Sequence, residues 1–253
     1  MQKTENKSFY EAKWEEEWGF AREQHGPIFF HRKRMIRKMI ENYPLNGKIL
    51  DIGCGDGSLL SLFRGGGNEL YGCDISEKAI ELAKNKFGDI AIFTTGDITN
   101  FNSLPEGEFD VIICSELLEH IENDELAIKN LYYKLKKGGY LIVTTPHREK
   151  YWLLLDEIDG HVRRYEKAEL EKKITRNGFT VCESKTWGYP LLHLYYTLVL
   201  NKVKGRAKMK IVKKTKQKQI FSIILRSIFY LDDLFIPLSK GRNLFLLARK
   251  NRT

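Results

Sequence analysis

The sequence predicts an α/β fold: a mostly parallel β-sheet with helices on both faces and a helical insertion ahead of its last strand. Three observations carry this. Short runs rich in Ile, Val and Leu alternate with helical patterns, as parallel strands and their crossovers do. The runs are apolar on consecutive residues, which suits strands buried on both faces. A Gly-rich turn directly follows the first run, and acids stand at the ends of the first three.

The elements follow in order. Ser8 to Phe20 reads as an amphipathic helix with Tyr10, Trp14 and Trp18 on one face, four residues apart. His31 to Tyr43 reads as a second helix, stopped by Pro44 and Gly47. Lys48 to Ile52 is the first strand and Glu69 to Asp74 the second, with Ser76 as N-cap of a helix over Glu77 to Phe87. Ile90 to Thr95 and Phe109 to Cys114 are the third and fourth strands. Asn123 to Leu135 reads as a helix closed by Lys136, Lys137, Gly138 and Gly139, a basic last turn with a Gly stop. Tyr140 to Thr145 is the fifth strand. A helix over Lys167 to Asn177, a strand over Phe179 to Thr186 and a final strand over Asn243 to Arg249 complete the pattern. The chain therefore divides into a helical cap (1–46), a ligand-binding core (47–186), an insertion (187–242) and the last core strand (243–253).

Composition excludes collagen-like and low-complexity chains: 42% of the 253 residues are hydrophobic and 30% charged. At this length a single core is expected to hold without disulfides or metals. The net charge of +9 is local: of 42 basic residues, nine lie between Asn201 and Gln219, and the remaining 33 equal the 33 acids. Outside that stretch the chain is no nucleic-acid-binding body. Cys54, Cys73, Cys114 and Cys182 form no C-x-x-C pair, so a reducing compartment is expected, with Cys73 and Cys114 buried in strands. No apolar run reaches the roughly 18 residues that span a bilayer. Met1 to Phe20 is polar and carries five Glu, unlike a secretory leader, so a cytoplasmic location is expected.

The sharpest local signal is Asp51-Ile52-Gly53-Cys54-Gly55-Asp56-Gly57. Glycines directly after a strand let the backbone turn tightly and approach a ligand. The dinucleotide fingerprint would need Gly at 58, where Ser58 stands. Asp51 at the mouth of the turn would repel a pyrophosphate but suit an ammonium group. Asp74, ending the second strand, stands where an acid accepts hydrogen bonds from ribose hydroxyls. Asp97 follows the third strand, placed for an adenine amino group, with Ile98 beside it for the ring. The ligand implied is an adenosine joined to something that carries an ammonium group. Helix capping accounts for any one of these acids alone, but not for the set.

With these residues in view, the stretch from about Lys48 to Phe179 resembles the class I S-adenosylmethionine-dependent methyltransferases. The resemblance rests on Leu50 to Gly57, Gly72-Cys73-Asp74-Ile75, Gly96-Asp97-Ile98, Phe109 to Ile112 leading into Glu119-His120-Ile121, Leu135 to Leu141, and Asn177-Gly178-Phe179. It implies a Rossmann-like seven-stranded sheet whose last strand is antiparallel, and S-adenosyl-L-methionine as cofactor. By resemblance Asp51, Gly53, Cys54, Gly55 and Gly57 cradle the methionine moiety, Asp74 and Ile75 stand at the ribose, and Asp97 and Ile98 at the adenine. Ser115, Glu116 and Leu117 line the methyl-donor pocket. The fourth-strand region is similar to the ubiquinone-type O-methyltransferases, a pattern that many sub-families share.

Methyl transfer from a sulfonium is an in-line displacement, so the protein chiefly aligns acceptor, methyl and sulfur. A hydroxyl acceptor gains from a general base. His161, in a polar loop, and His147, after the fifth strand, are the candidate bases; His120 reads as a packing residue. Asp156, Glu157, Asp159 and His161 read as a solvated acidic loop rather than metal ligands, and no metal is expected. Arg163, Arg164 and Tyr165 are placed to meet an anionic acceptor, unless the arginines simply pair with acids.

The insertion carries two apolar segments, Tyr189 to Leu200 and Ile220 to Leu231, around the basic stretch. Both are too short to span a bilayer but suit its interface, and the Lys run suits anionic lipid. Residues 189–231 are thus expected either to meet an anionic membrane surface, delivering a lipid-, quinone- or glycan-like acceptor, or to fold as a lid with a basic loop. An RNA acceptor is disfavoured, because no aromatics interleave with the Lys run. A non-catalytic adenosine-binding protein is the remaining alternative. Nothing in the sequence sets the oligomeric state.

Overall fold

The computed structural model describes residues 2–15, 26–43, 47–200 and 216–251. Seven strands form one sheet in the order β3-β2-β1-β4-β5-β7-β6: β1 (Lys48–Ile52), β2 (Glu69–Asp74), β3 (Ala91–Thr95), β4 (Phe109–Ser115), β5 (Leu135–Pro146), β6 (Phe179–Trp187) and β7 (Asn243–Lys250). The first five pair in parallel, whereas β7 runs antiparallel between β5 and β6. The last strand is thus antiparallel, as the resemblance implied. The Gly turn after β1 sits where the order reverses, with β2 on one side and β4 on the other. In open α/β sheets that crevice at the strands' carboxyl ends takes the ligand.

Alternate residues of each strand enter opposite cores, which is why the strands read as unbroken apolar runs. Leu50, Ile112, Leu141 and Val143 face one cluster, which α4 (Asp124–Lys134) completes with Leu131 and α6 (Lys167–Arg176) with Leu170 and Ile174. Ile49, Val111, Ile113 and Ile142 face the other, covered by Met35, Ile36 and Met39 of α2 (Pro27–Ile40) and by Ile80 and Ala83 of α3 (Glu77–Phe87). Ser76 caps α3 as expected, its Oγ accepting from the Ala79 amide. Cys73 and Cys114 are buried in these cores.

Three boundaries depart from the sequence reading. The first helix, α1, is Gln2–Glu15, and Trp18 and Phe20 lie outside the described residues. Lys136 to Gly139 is no helical stop: the chain passes from α4 straight into β5 at Leu135, and Lys136 pairs with Asp110 of β4. The acidic loop contains a short helix, α5 (Leu154–Asp159), in which Asp156 and Asp159 are buried.

The insertion docks on α2. Asp233 accepts two hydrogen bonds from the Arg34 guanidinium, both 2.6 Å, and a third from Trp187 Nε1 at 3.0 Å. His31 stacks on Trp187 with centroids 4.6 Å apart, and its Nε2 lies 2.9 Å from the Arg226 carbonyl. Asp232 accepts from the Leu191 and Leu192 amides, tying the start of α7 (Leu191–Tyr195) to the segment 230–238. The outer face of α8 (Lys216–Phe229) and of that segment is apolar and exposed, with Ile220, Ile223, Leu231 and Leu234 between 54% and 75% accessible. Among the described residues no helix is long and apolar enough to cross a membrane. The basic stretch up to residue 215 lies outside the described residues.

Candidate functional site

A cavity of 380 Å³ opens at the carboxyl ends of β1 to β4. Its wall gathers Asp51 of β1, Gly53, Cys54 and Gly55 from the turn after it, Asp74 of β2 and Ile75 just beyond, Asp97 and Ile98 after β3, and Ser115 of β4 with Glu116 and Leu117 just beyond. The residues expected from the sequence to contact the cofactor therefore line one cavity, Gly57 excepted.

The turn is held by backbone and carboxylate together. The Gly53 and Cys54 amides both donate to the Cys73 carbonyl, at 2.8 and 3.1 Å. The Gly55 amide donates to Asp74 Oδ2 at 2.9 Å, and the Ser76 amide to Asp74 Oδ1 at 3.0 Å. Asp74 thus fixes the turn with one lone pair per oxygen and keeps further acceptor capacity. Burial raises its pKa, and the two amides oppose that rise. Asp97 accepts from both the Thr99 amide and its hydroxyl, and Asn130 of α4 holds the Ile98 carbonyl at 2.7 Å.

Gly55 has a left-handed φ of 52°, and a Cβ there would lie 2.7 Å from the Trp14 ring. Gly57 plays a different part from the one expected. It does not line the cavity; a Cβ on it would lie 2.8 Å from the Phe93 ring, so it makes room for β3.

The sequence reading missed the cover over this cavity. Tyr10, Lys13 and Trp14 of α1 line it, and Trp14 is buried. Glu11 anchors α1 to the start of α3, accepting from Ser76 Oγ (2.9 Å) and from the Glu77 (2.7 Å) and Lys78 (3.1 Å) amides. A carboxylate there meets the positive end of the helix dipole. The available signal was the aromatic spacing of Tyr10 and Trp14, which reads equally as packing. Arg32 of α2 was missed too; it pairs with Glu116 at 3.0 Å.

A second cavity of 150 Å³ adjoins the first and shares Lys13, Phe29, Arg32, Glu116 and His120 with it. His161 lines this second cavity; its Nδ1–H donates to Asp156 Oδ1 at 2.7 Å. Burial opposes ionisation of Asp156, yet the hydrogen bond from His161 and the charge of Arg164 hold its carboxyl below the usual range. His120, expected to be packing, lines both cavities. Its Nδ1 donates to the Gly160 carbonyl at 3.2 Å, and burial depresses its pKa to about 3. Glu119 is fully buried and lines the second cavity; among the described residues neither oxygen has a well-formed hydrogen bond, the Thr145 hydroxyl and its own amide offering only partial ones. Burial, followed by the charge of Glu116, pushes its carboxyl well above the usual range.

Several expectations fail on geometry. His147 lines neither cavity: it is 1% exposed, and its Nδ1 donates to the Gly241 carbonyl at 2.7 Å, joining β5 to the start of β7. Arg163 pairs with Asp124 at 2.9 Å, and the Tyr165 hydroxyl donates to the same carboxylate, so neither reaches for an acceptor. Arg164 is held by Asp156, with which it shares the wall of the second cavity. Asp156 and Asp159 are buried rather than solvated, because Arg164, eight positions after Asp156, folds back onto it.

Comparison with known proteins agrees with this geometry. A family model described as "Methyltransferase domain" matches residues 33–184. The ubiquinone biosynthesis O-methyltransferase of Thiobacillus denitrificans is 29% identical over 135 residues, covering 52% of this chain and 58% of that protein. The enzyme of the same name from Coxiella burnetii is 31% identical over 125 residues, covering 48% and 53%. The chain thus spans about half the length of the curated relatives it matches. Among solved structures, the magnesium protoporphyrin IX methyltransferase of Synechocystis PCC 6803, with bound S-adenosylmethionine, superimposes with a TM-score of 0.61 at 17% identity. That alignment covers 99% of this chain and 98% of the other, a likeness of fold.

Proposed function

The chain belongs to the class I S-adenosylmethionine-dependent methyltransferases, and we propose that it transfers a methyl group to an oxygen of a small or amphiphilic acceptor. The observation that carries the cofactor half is the convergence of Asp51, Asp74 and Asp97 on one 380 Å³ cavity behind a Gly turn. The residues fit the group: the cavity lies in the range of small-molecule sites, and Gly53 and Gly55 leave room for close backbone approach. In this reading Asp51 faces the ammonium group, Asp74 takes the ribose hydroxyls, and Asp97 with Ile98 holds the adenine. Ser115, Glu116 and Leu117 border the methyl group, where the cavity meets its neighbour. When bound, the cofactor supplies an activated methyl on a positively charged sulfur.

The chain's own residues then do three things. Tyr10, Lys13 and Trp14 cover the site and exclude water. The second cavity holds the acceptor beside Glu116, so that oxygen, methyl and sulfur align. His161, whose Nδ1–H is fixed by Asp156, presents Nε2 to draw the proton from an acceptor hydroxyl. His147 takes no part in this reading.

The acceptor reaches the site from an anionic lipid surface. The exposed apolar face of α8 and residues 230–238 follows the Lys-rich stretch in sequence, and the pairing of apolar face and positive charge suits such a surface. The relatives named above are O-methyltransferases of ubiquinone biosynthesis, which supports an amphiphilic acceptor class. Incubation with methyl-labelled S-adenosylmethionine and separate lipid, quinone and glycan extracts tests this: label is expected in an amphiphilic, hydroxylated fraction. Label confined to protein or RNA would refute the acceptor class.

A further inference from the structure

Glu119 stands out as a fully buried carboxyl group that, among the described residues, has no well-formed hydrogen bond on either oxygen, the Thr145 hydroxyl and its own amide offering only partial ones. Leaving a buried acceptor unsatisfied costs free energy, more so for an ionisable group, so such a side chain needs an explanation. One ligand atom from each of Glu119, His120 and His161 lies within 4.8 Å of the other two. Both imidazoles are also prepared in the same sense. His120 donates Nδ1–H to the Gly160 carbonyl and His161 donates Nδ1–H to Asp156. Each Nε2 is left as a lone pair, the arrangement that orients metal-binding histidines.

We propose that Glu119, His120 and His161 bind one divalent transition-metal ion, of the zinc or manganese class, on the acceptor side of the cavity. Two imidazoles and one carboxylate favour such an ion over magnesium or calcium, which take oxygen ligands. An ion with bonds of about 2.0–2.2 Å holds tetrahedral ligands roughly 3.5 Å apart, so side-chain rotation of about an ångström closes the cluster. Three protein ligands leave a position open, and the second cavity, lined by all three residues, gives an acceptor oxygen access to it. Glu116, already neutralised by Arg32, borders the same cavity, whose other cations are Lys13, Arg164 and Arg242.

The inference rests on the methyl-transfer reading and changes the part that His161 plays in it. With the ion bound, His161 is a ligand rather than the base. The ion lowers the pKa of the acceptor hydroxyl, whose proton leaves to solvent. The oxygen lone pair forms the new O–C bond, the C–S bond breaks, and its electron pair stays on sulfur as the thioether.

The test uses the full chain after treatment with a chelator. It is titrated calorimetrically with Zn²⁺ and with Mn²⁺, and S-adenosylhomocysteine binding is measured on the same sample. One site per chain is expected, weakened at least about tenfold in Glu119→Gln and in His120→Asn. Added Co²⁺ is expected to give visible absorption bands that Glu119→Gln removes. No metal binding, or binding equal in wild type and both variants, while S-adenosylhomocysteine still binds, would overturn the metal site. Metal binding without any nucleoside binding would instead overturn the methyl-transfer reading and leave the metal site standing.

Discussion

Replacing Asp74 with Asn isolates what its charge and its second oxygen contribute. In the wild type each carboxylate oxygen accepts one buried amide, from Gly55 at 2.9 Å and from Ser76 at 3.0 Å. Asparagine has a single acceptor oxygen, and its NH₂ must face one of those N–H groups. One amide is then left unpaired, at a cost of about 1–3 kcal/mol to the fold. For a chain of this size that lowers Tm by roughly 2–12 °C. If Asp74 holds the ribose as proposed, the variant also loses that charge-assisted hydrogen bond, worth about 1.5–3 kcal/mol. Affinity for S-adenosylhomocysteine is therefore expected to fall roughly 10- to 150-fold. Calorimetric titration reads the second effect and scanning calorimetry the first. A lower Tm with nucleoside affinity within about threefold of wild type would refute the ribose role and leave Asp74 as a brace for the turn.

Three further outcomes follow from the same contacts. Burial lowers the pKa of His31 to about 4, against the Arg226 carbonyl that raises it, with Arg34, Asp233 and Arg226 the charges nearby. The stability this neutral imidazole gives is present above about pH 6.5 and is lost as pH falls towards 4, which is about 2 kcal/mol by pH 5. His31→Gln should remove that part of the pH dependence in denaturant titrations at pH 7 and 5; an unchanged slope would contradict it. His161→Ala is expected to lower kcat at least about 100-fold with little change in Tm, whereas His147→Ala lowers Tm through the lost β5–β7 contact; the reverse pattern would restore His147 as the reacting histidine. Replacing Ile220, Ile223 and Leu234 together by Ser should abolish co-sedimentation with anionic liposomes at low salt, since three exposed side chains of 58–75% accessibility are removed from the proposed contact. Equal sedimentation of variant and wild type would end the membrane reading.

The strands and the residues lining the main cavity were legible because their signals are local. An apolar run, a Gly turn and an acid at a strand end each lie within a few residues, and the parallel topology brings three such ends together. What the sequence hid depends on contacts distant along the chain. Gly57 looks like part of the ligand turn until Phe93 of β3 is seen packed against it. The place of His147 is set by Gly241, 94 residues away, and Asp156 reads as solvated until Arg164 folds over it. Glu119 and His120 share a short Leu-Leu-Glu-His-Ile segment whose apolar neighbours suggest packing; only the approach of Gly160 and His161 shows that these side chains border a cavity.

The function turns on whether the acid-lined crevice takes an adenosyl sulfonium rather than a pyrophosphate ligand. Calorimetric titration of the chain with S-adenosylmethionine, S-adenosylhomocysteine and NAD⁺ addresses it directly. Saturable binding of the first two at one site per chain, lost on replacing Asp51 and Asp74 by Ala, and no heat with NAD⁺, is the predicted result. Heat with NAD⁺ and none with either adenosyl ligand would contradict it.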